Sequence, residues 1–209
     1  MKDSKCKICR RVGVKLFLKG EKCLSSKCPM VKKPYSPGQK RKRRTKALSE
    51  YGKELREKQK LKNWYNLTEQ QFKKYVKGIL GARGKVEDAE ALLIRTLESR
   101  LDNVVFRLGF ALSRASARQL ISHRHFLVNG KPINVPSYLV KKGDKITLKP
   151  KSYNKSIFKN LSTLLKKHKT LSWLKLDPGK LEGEITGIPS IEEVSPPAEI
   201  SSIFEFYSR

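Results

Sequence analysis

Carboxylates are what this chain is short of. Only 19 Asp and Glu stand against 47 Lys and Arg, a formal net charge of +28 over 209 residues. A chain so unbalanced repels itself until an anionic partner neutralises it, and nucleic acid is the partner that fits the imbalance best. There is no apolar run long enough to cross a bilayer and no basic amphipathic anchor, which sets the membrane surface aside. The first ten residues are charged and already hold two cysteines, unlike a secretory leader, so a cytoplasmic location is expected. Histidine is equally sparse. His123, His125 and His168 show no spacing to a nucleophile or a metal partner, and no Gly-rich nucleotide loop occurs. Neither catalysis nor a small-molecule substrate is expected.

Cysteine is absent beyond residue 28, so any sulfur chemistry is confined to the start of the chain. There it is dense: Cys6, Cys9, Cys23 and Cys28 read C-x2-C, thirteen residues, C-x4-C. Two close pairs let two turns present two thiolates each, the donor set of one tetrahedral zinc. The stretch between them, Val12 to Gly20, is too short and too charged to bury a core. Metal would therefore supply most of its folding energy, on the order of 10 kcal/mol in comparable peptides. Four sulfur ligands leave no open position, so such a site is structural. Two disulfides, an iron–sulfur cluster and free thiols are the competing readings. The compartment disfavours the first, and the basic, solvent-facing surroundings disfavour the second.

The cations are unevenly spread. Residues 1 to 62 hold 22 Lys/Arg and 5 Asp/Glu, whereas residues 177 to 209 hold 2 and 7. The first end suits a polyanion, and the second suits a basic protein neighbour. Pro34 to Lys46 is a Pro/Gly-punctuated loop ending in Lys40, Arg41, Lys42, Arg43 and Arg44. Five adjacent cations cannot pack on one another in water. A solvated tail or a targeting signal is the bland alternative, but the run sits between two structured segments, which favours phosphate binding. Arg10 and Arg11 of the cysteine segment are expected to join it.

Helical spacing dominates next. Ser49 can cap a helix carrying Tyr51, Leu55 and Leu61. Thr68 to Gln71 forms a capping box, with Leu67 and Phe72 placed as a hydrophobic staple. Phe72, Tyr75, Val76, Ile79 and Leu80 make an apolar stripe that reads as core. Leu97 to Phe110 is expected to be one helix ending at Gly109, and Ser113 to cap a second over Arg114 to Ser122. Phe126-Leu127-Val128, Asn129-Gly130 and Lys131-Pro132-Ile133 make a β-hairpin, and Lys145 to Lys149 a further strand. Arg114, Arg118, Ser122, His123, Arg124, Asn129 and Lys131 have no apolar partner in this arrangement and are expected to face a phosphate backbone. Ile157 to Leu165 reads as another amphipathic helix, "WLKLDPGKLEGEIT" as two strands about a Pro-Gly turn, and "SSIFEFYSR" as an apolar strand-like end.

"LESRLDNVVFRLGF" followed by "SRASARQLISHRHFLVNG" resembles the RNA-binding module of the universal small-subunit ribosomal protein four family. "LREKQK" and "LTEQQFKKY" resemble its helical body, and the likeness runs from Cys6 to Arg209. It implies an α+β fold: a mainly helical body (46–96 plus 170–209), an N-terminal four-cysteine zinc segment with basic loop (1–45), and an inserted module of two helices on a β-hairpin or short sheet (97–169). It further implies a structural protein of the small ribosomal subunit that binds rRNA at a helix junction, starts assembly of the subunit body and influences translational accuracy. Ribosomal protein five would be met around Tyr51 and Glu205, and mRNA near where it enters. The family's usual His-Gly after Pro-Gly-Gln is replaced here by Lys40-Arg41. Two rival functions stand beside this one. The first is a free-standing RNA-binding repressor. The second is a pseudouridine synthase, suggested by Arg100-Leu101-Asp102 but lacking a separate catalytic domain.

Overall fold

The computed structural model describes residues 4–38, 47–81 and 88–208. In chain order the helices are α1 (Lys5–Val12), α2 (Glu21–Leu24), α3 (Pro29–Lys32), α4 (Glu50–Trp64), α5 (Glu69–Gly81), α6 (Ala89–Glu98), α7 (Leu101–Arg107) and α8 (Arg114–Ser122). Three strands follow: β1 (Phe126–Val128), β2 (Lys131–Pro132) and β3 (Lys145–Leu148). After two short 3₁₀ turns, Pro150–Ser152 and Ser156–Phe158, come α9 (Leu161–Lys167), β4 (Leu174–Asp177), β5 (Glu182–Ile185), α10 (Ile191–Val194) and α11 (Ile200–Ser208). The chain divides into two compact units, Met1–Leu93 with Ser195–Arg209, and Ile94–Val194.

The first unit is helical. Ser49 Oγ accepts from the Gly52 N–H at 3.3 Å to start α4, and Thr68 Oγ1 accepts from the Gln71 N–H at 3.3 Å to start α5. Leu67 and Phe72, either side of that cap, are both buried. The end of the chain is helical, where an apolar strand is expected. Ile200, Ile203 and Phe204 recur at three- and four-residue spacing and are buried, with α11 packed on α4 and α5. Phe206 meets Tyr51 at 5.4 Å between ring centroids, and Tyr207 meets Phe72 at 6.2 Å. The aromatic and β-branched content favours strand, but the waiting apolar face of two helices decides for a helix.

The second unit packs helices on one antiparallel sheet of order β2-β1-β3-β5-β4. Asn129 and Gly130 take φ +50° and +77°, the two positive values that a two-residue hairpin turn needs. The helix expected over 97–110 is two helices. Arg100 is extended at φ −71°, ψ 136° and forms an antiparallel bridge with Leu139, while the Leu101 N–H bonds the Tyr138 carbonyl at 2.8 Å. The break turns the Arg100 side chain back onto Asp102. A second correction concerns residues 170–194. β5 pairs with β3 through Ile146 and Gly183, and β4 pairs with β5, so this hairpin extends the module's sheet. Of the stretch expected to return to the helical body, α11 is the helix that packs there. One core joins Leu101, Val104, Leu108, Ile121, Phe126, Ile146 and Trp173.

Candidate nucleic-acid interface

The arginines of α7 and α8 are organised by two buried carboxylates. Glu98, fully buried, accepts from Arg107 Nε at 3.0 Å, Arg107 Nη2 at 2.9 Å and Asn103 Nδ2 at 2.6 Å. Arg114 Nε in turn donates to Asn103 Oδ1 at 2.7 Å, and its guanidinium lies 4.7 Å from the Phe106 ring centre. Asp102 accepts from Arg100 on one side and from Arg118 on the other. Arg114 and Arg118 therefore have partners that the sequence reading does not give them. Arg114 is buried and Arg118 half-buried. Charges placed among apolar side chains need such partners, because an unpaired ion there loses its hydration without compensation. Asp102 is thereby a structural anion.

Past α8 the surface is open. Ser122, His123, Arg124 and Lys131 are exposed, and Arg124 adopts φ +57° at the turn into β1. Asn129 is also exposed but serves the fold. Its Oδ1 accepts from the Lys145 N–H at 2.9 Å and its Nδ2 donates to Asp144 at 2.8 Å, bracing the hairpin turn. His125, read with His123 as a phosphate or base contact beside Arg124, is instead buried. Its Nδ1 lies 2.8 Å from Ser152 Oγ, and Phe158 stacks edge-on at 5.5 Å. Burial lowers its pKa, and the positive charges of Lys155, His123 and Lys149 push it the same way.

Those contacts anchor a segment whose basic character the sequence reading passes over. Residues 149 to 169 contain seven lysines and no acidic residue. Lys151 on the first 3₁₀ turn and Lys155 and Lys159 on either side of the second are exposed, and Ser152 and Phe158 of these turns pack on His125. The missing acids are the signal that could have found this strip. Apolar spacing drew the reading to the helix instead.

In the first unit, Cys6, Cys9, Cys23 and Cys28 line a single small cavity with Lys5, Leu18, Lys19 and Met30 among its other walls. No disulfide joins any two of them. The Lys19 N–H points at Cys23 Sγ at 3.3 Å. Burial raises the Cys9 thiol pKa, the Leu16 backbone N–H opposes this, and Cys23, Cys6 and Cys28 add to it. Among the described residues no group of three or more His, Cys, Asp or Glu is arranged so that it could hold a metal ion, so the zinc site expected at Cys6, Cys9, Cys23 and Cys28 is not seen. The four sulfurs do line one cavity, and the Lys19 N–H is aimed at one of them.

Arg10 Nε donates to the Tyr35 carbonyl at 2.9 Å with its guanidinium over the Tyr35 ring, and Arg11 is exposed beside it in sequence. Lys40, Arg41, Lys42, Arg43 and Arg44 lie outside the described residues. Tyr51 is exposed on α4 and touches Phe206 of α11, and Glu205 is exposed on that same helix. No helix among the described residues is long and apolar enough to cross a membrane.

Comparison with known proteins places this geometry. Residues 1–95 match the family described as Ribosomal protein S4/S9 N-terminal domain, and residues 99–146 match the S4 domain. A relative from Thermotoga petrophila, named small ribosomal subunit protein uS4, is 45% identical over 205 residues, covering 98% of this chain and 96% of its own. One of the same name from Caldicellulosiruptor saccharolyticus is 46% identical over 210 residues, with the same coverage. A third, uS4A from Alkaliphilus metalliredigens, is 46% identical over 207 residues, covering 99% and 98%.

Proposed function

Since the chain belongs to the uS4 family of small ribosomal subunit proteins, we propose that it clamps a junction of rRNA helices and fixes the angle between them. It is a structural, rRNA-binding component of the small subunit of the cytoplasmic ribosome and not an enzyme. The observation that carries the clamp reading is the sorting of charge in the second unit. Glu98 at the end of α6 and Asp102 in the first turn of α7 are buried in pairs, while Ser122, His123, Arg124, Lys131 and the lysines at 151, 155 and 159 are exposed. A surface sorted in this way grips phosphates and backbone shape. Base edges in the deep, narrow major groove of an RNA duplex lie beyond its reach. By resemblance, Arg10, Arg11 and the Lys40–Arg44 run are assigned to a second RNA contact, and to mRNA near where it enters.

The four cysteines are read as ligands of one structural zinc. The ion would supply cross-linking of α1, α2 and the Cys28 turn, segments with almost no apolar core of their own. The α4–α11 surface around Tyr51 and Glu205 is assigned to a neighbouring ribosomal protein, by resemblance protein five. Early assembly of the subunit body and an influence on accuracy follow from the same resemblance. Hydroxyl-radical footprinting on naked small-subunit rRNA tests the clamp. Protection at two or more helices meeting at one junction supports it, and protection of one isolated helix or none refutes it.

A further inference from the structure

We propose that Asp102 is a positioning residue for RNA binding, an acid that strengthens the grip on a polyanion by holding the Arg118 guanidinium in one orientation. The inference rests on the RNA-binding reading of the second unit. Asp102 is 3% exposed and sits in the first turn of α7. Arg118 reaches it from α8, Nε and Nη2 both donating to Oδ2 at 3.2 and 2.8 Å. Arg100, itself 1% exposed, holds Asp102 from the other side, Nε to Oδ1 at 3.1 Å and Nη2 to Oδ2 at 2.8 Å. The order of support thus runs from a buried arginine, through a buried carboxylate, to an arginine whose side chain is 26% exposed. Ser122, one helical turn on and bonded to the Arg118 carbonyl at 3.0 Å, is on the surface, so this edge of α8 leads directly to His123 and Arg124.

Two physical effects oppose each other here. By charge alone, a carboxylate next to a phosphate-facing arginine weakens attraction for RNA. By ordering alone, an arginine already fixed by a two-point carboxylate contact has little rotamer freedom left to lose when phosphate arrives. Arg100 decides between them, because its charge offsets that of Asp102 and leaves Arg118 as the net cation of the trio.

The test measures affinity of the full chain for small-subunit rRNA over a potassium chloride series, for wild type, D102N, R118K, R118A and the D102N/R118A double variant. D102N and R118K are expected to bind two- to tenfold more weakly, about the cost of ordering one long side chain, with the salt slope unchanged. R118A is expected to lower the slope by about 0.7 to 0.9, and D102N to add nothing in the R118A background. D102N binding as tightly as wild type or tighter overturns the proposal, and so does D102N weakening R118A by the factor it weakens wild type. R118K leaves the Arg100–Asp102 pair whole, so its affinity loss reports on orientation even where D102N fails to fold; wild-type affinity in R118K also overturns the proposal. A wild-type chain without salt-sensitive rRNA affinity defeats the RNA reading itself and is recognised from that one curve.

Discussion

Leu108 at the end of α7 fills the space above Gly183 on β5 so closely that a Cβ at position 183 would lie 2.4 Å from Leu108 Cδ1. Leu108 is fully buried, and Gly183 faces Ile146 across the β3–β5 ladder. A glycine inside a strand otherwise weakens it, so its presence marks a close approach of helix to sheet. This contact ties the β4–β5 hairpin to the RNA-binding module.

Gly183→Ala should therefore destabilise the second unit by about 1–3 kcal/mol, the usual cost of forcing extra volume into a packed core. The denaturation midpoint of that unit should fall with its m-value unchanged. An unchanged midpoint would show that Leu108 moves aside freely.

Acid should loosen α11 first. Burial alone would raise the Glu69 pKa, but hydrogen bonds from Lys58, Lys62 and Tyr207 outweigh it and hold the carboxyl at about 2 against an ordinary 4.5. With the folded value below the unfolded one, the stabilisation is complete above pH 4.5 and drains away as pH falls toward 2. Glu69 is 44% exposed, so solvent screens part of this effect. Amide protection of α11 should drop across that window in wild type and show a flatter dependence in Glu69→Gln. At the alkaline end Tyr207, whose pKa burial and Glu69 both raise, should ionise above the ordinary tyrosine range by ultraviolet titration.

If the four cysteines hold zinc as proposed, removing it should act locally. Chelation, or Cys6→Ser with Cys9→Ser, should abolish amide protection across α1, α2 and α3 and leave the second unit's protection intact. The effect reflects metal-binding free energy on the order of 10 kcal/mol that serves as folding energy. Equal protection with and without the ligands would show that the segment folds by packing alone.

Local signals in the sequence carried much of this fold. Ser49, Thr68 and Ser113 announce their helices because one hydroxyl satisfies one orphan N–H, and Asn129-Gly130 announces the hairpin by its required positive φ. What was not legible depends on distant partners. Ile200 to Ser208 reads as strand until α4 and α5 offer an apolar face. Leu97 to Phe110 reads as one helix until Arg100 bridges to Leu139. The site shows the same division. Clusters of cations are visible in sequence, but nothing there tells that Arg114 turns inward to Asn103, or that His125 and Phe158 set the 151–159 lysines on the surface.

The most direct measurement of the central claim is the salt dependence of affinity for small-subunit rRNA, compared between wild type and a variant with Lys151, Lys155 and Lys159 changed to glutamine. If the exposed lysine strip holds phosphates, the slope of log affinity against log salt falls by about 0.7 to 0.9 for each phosphate no longer neutralised, while the fold is unchanged. A variant with the wild-type slope and affinity would contradict the account, because the cations displayed there would then hold no RNA.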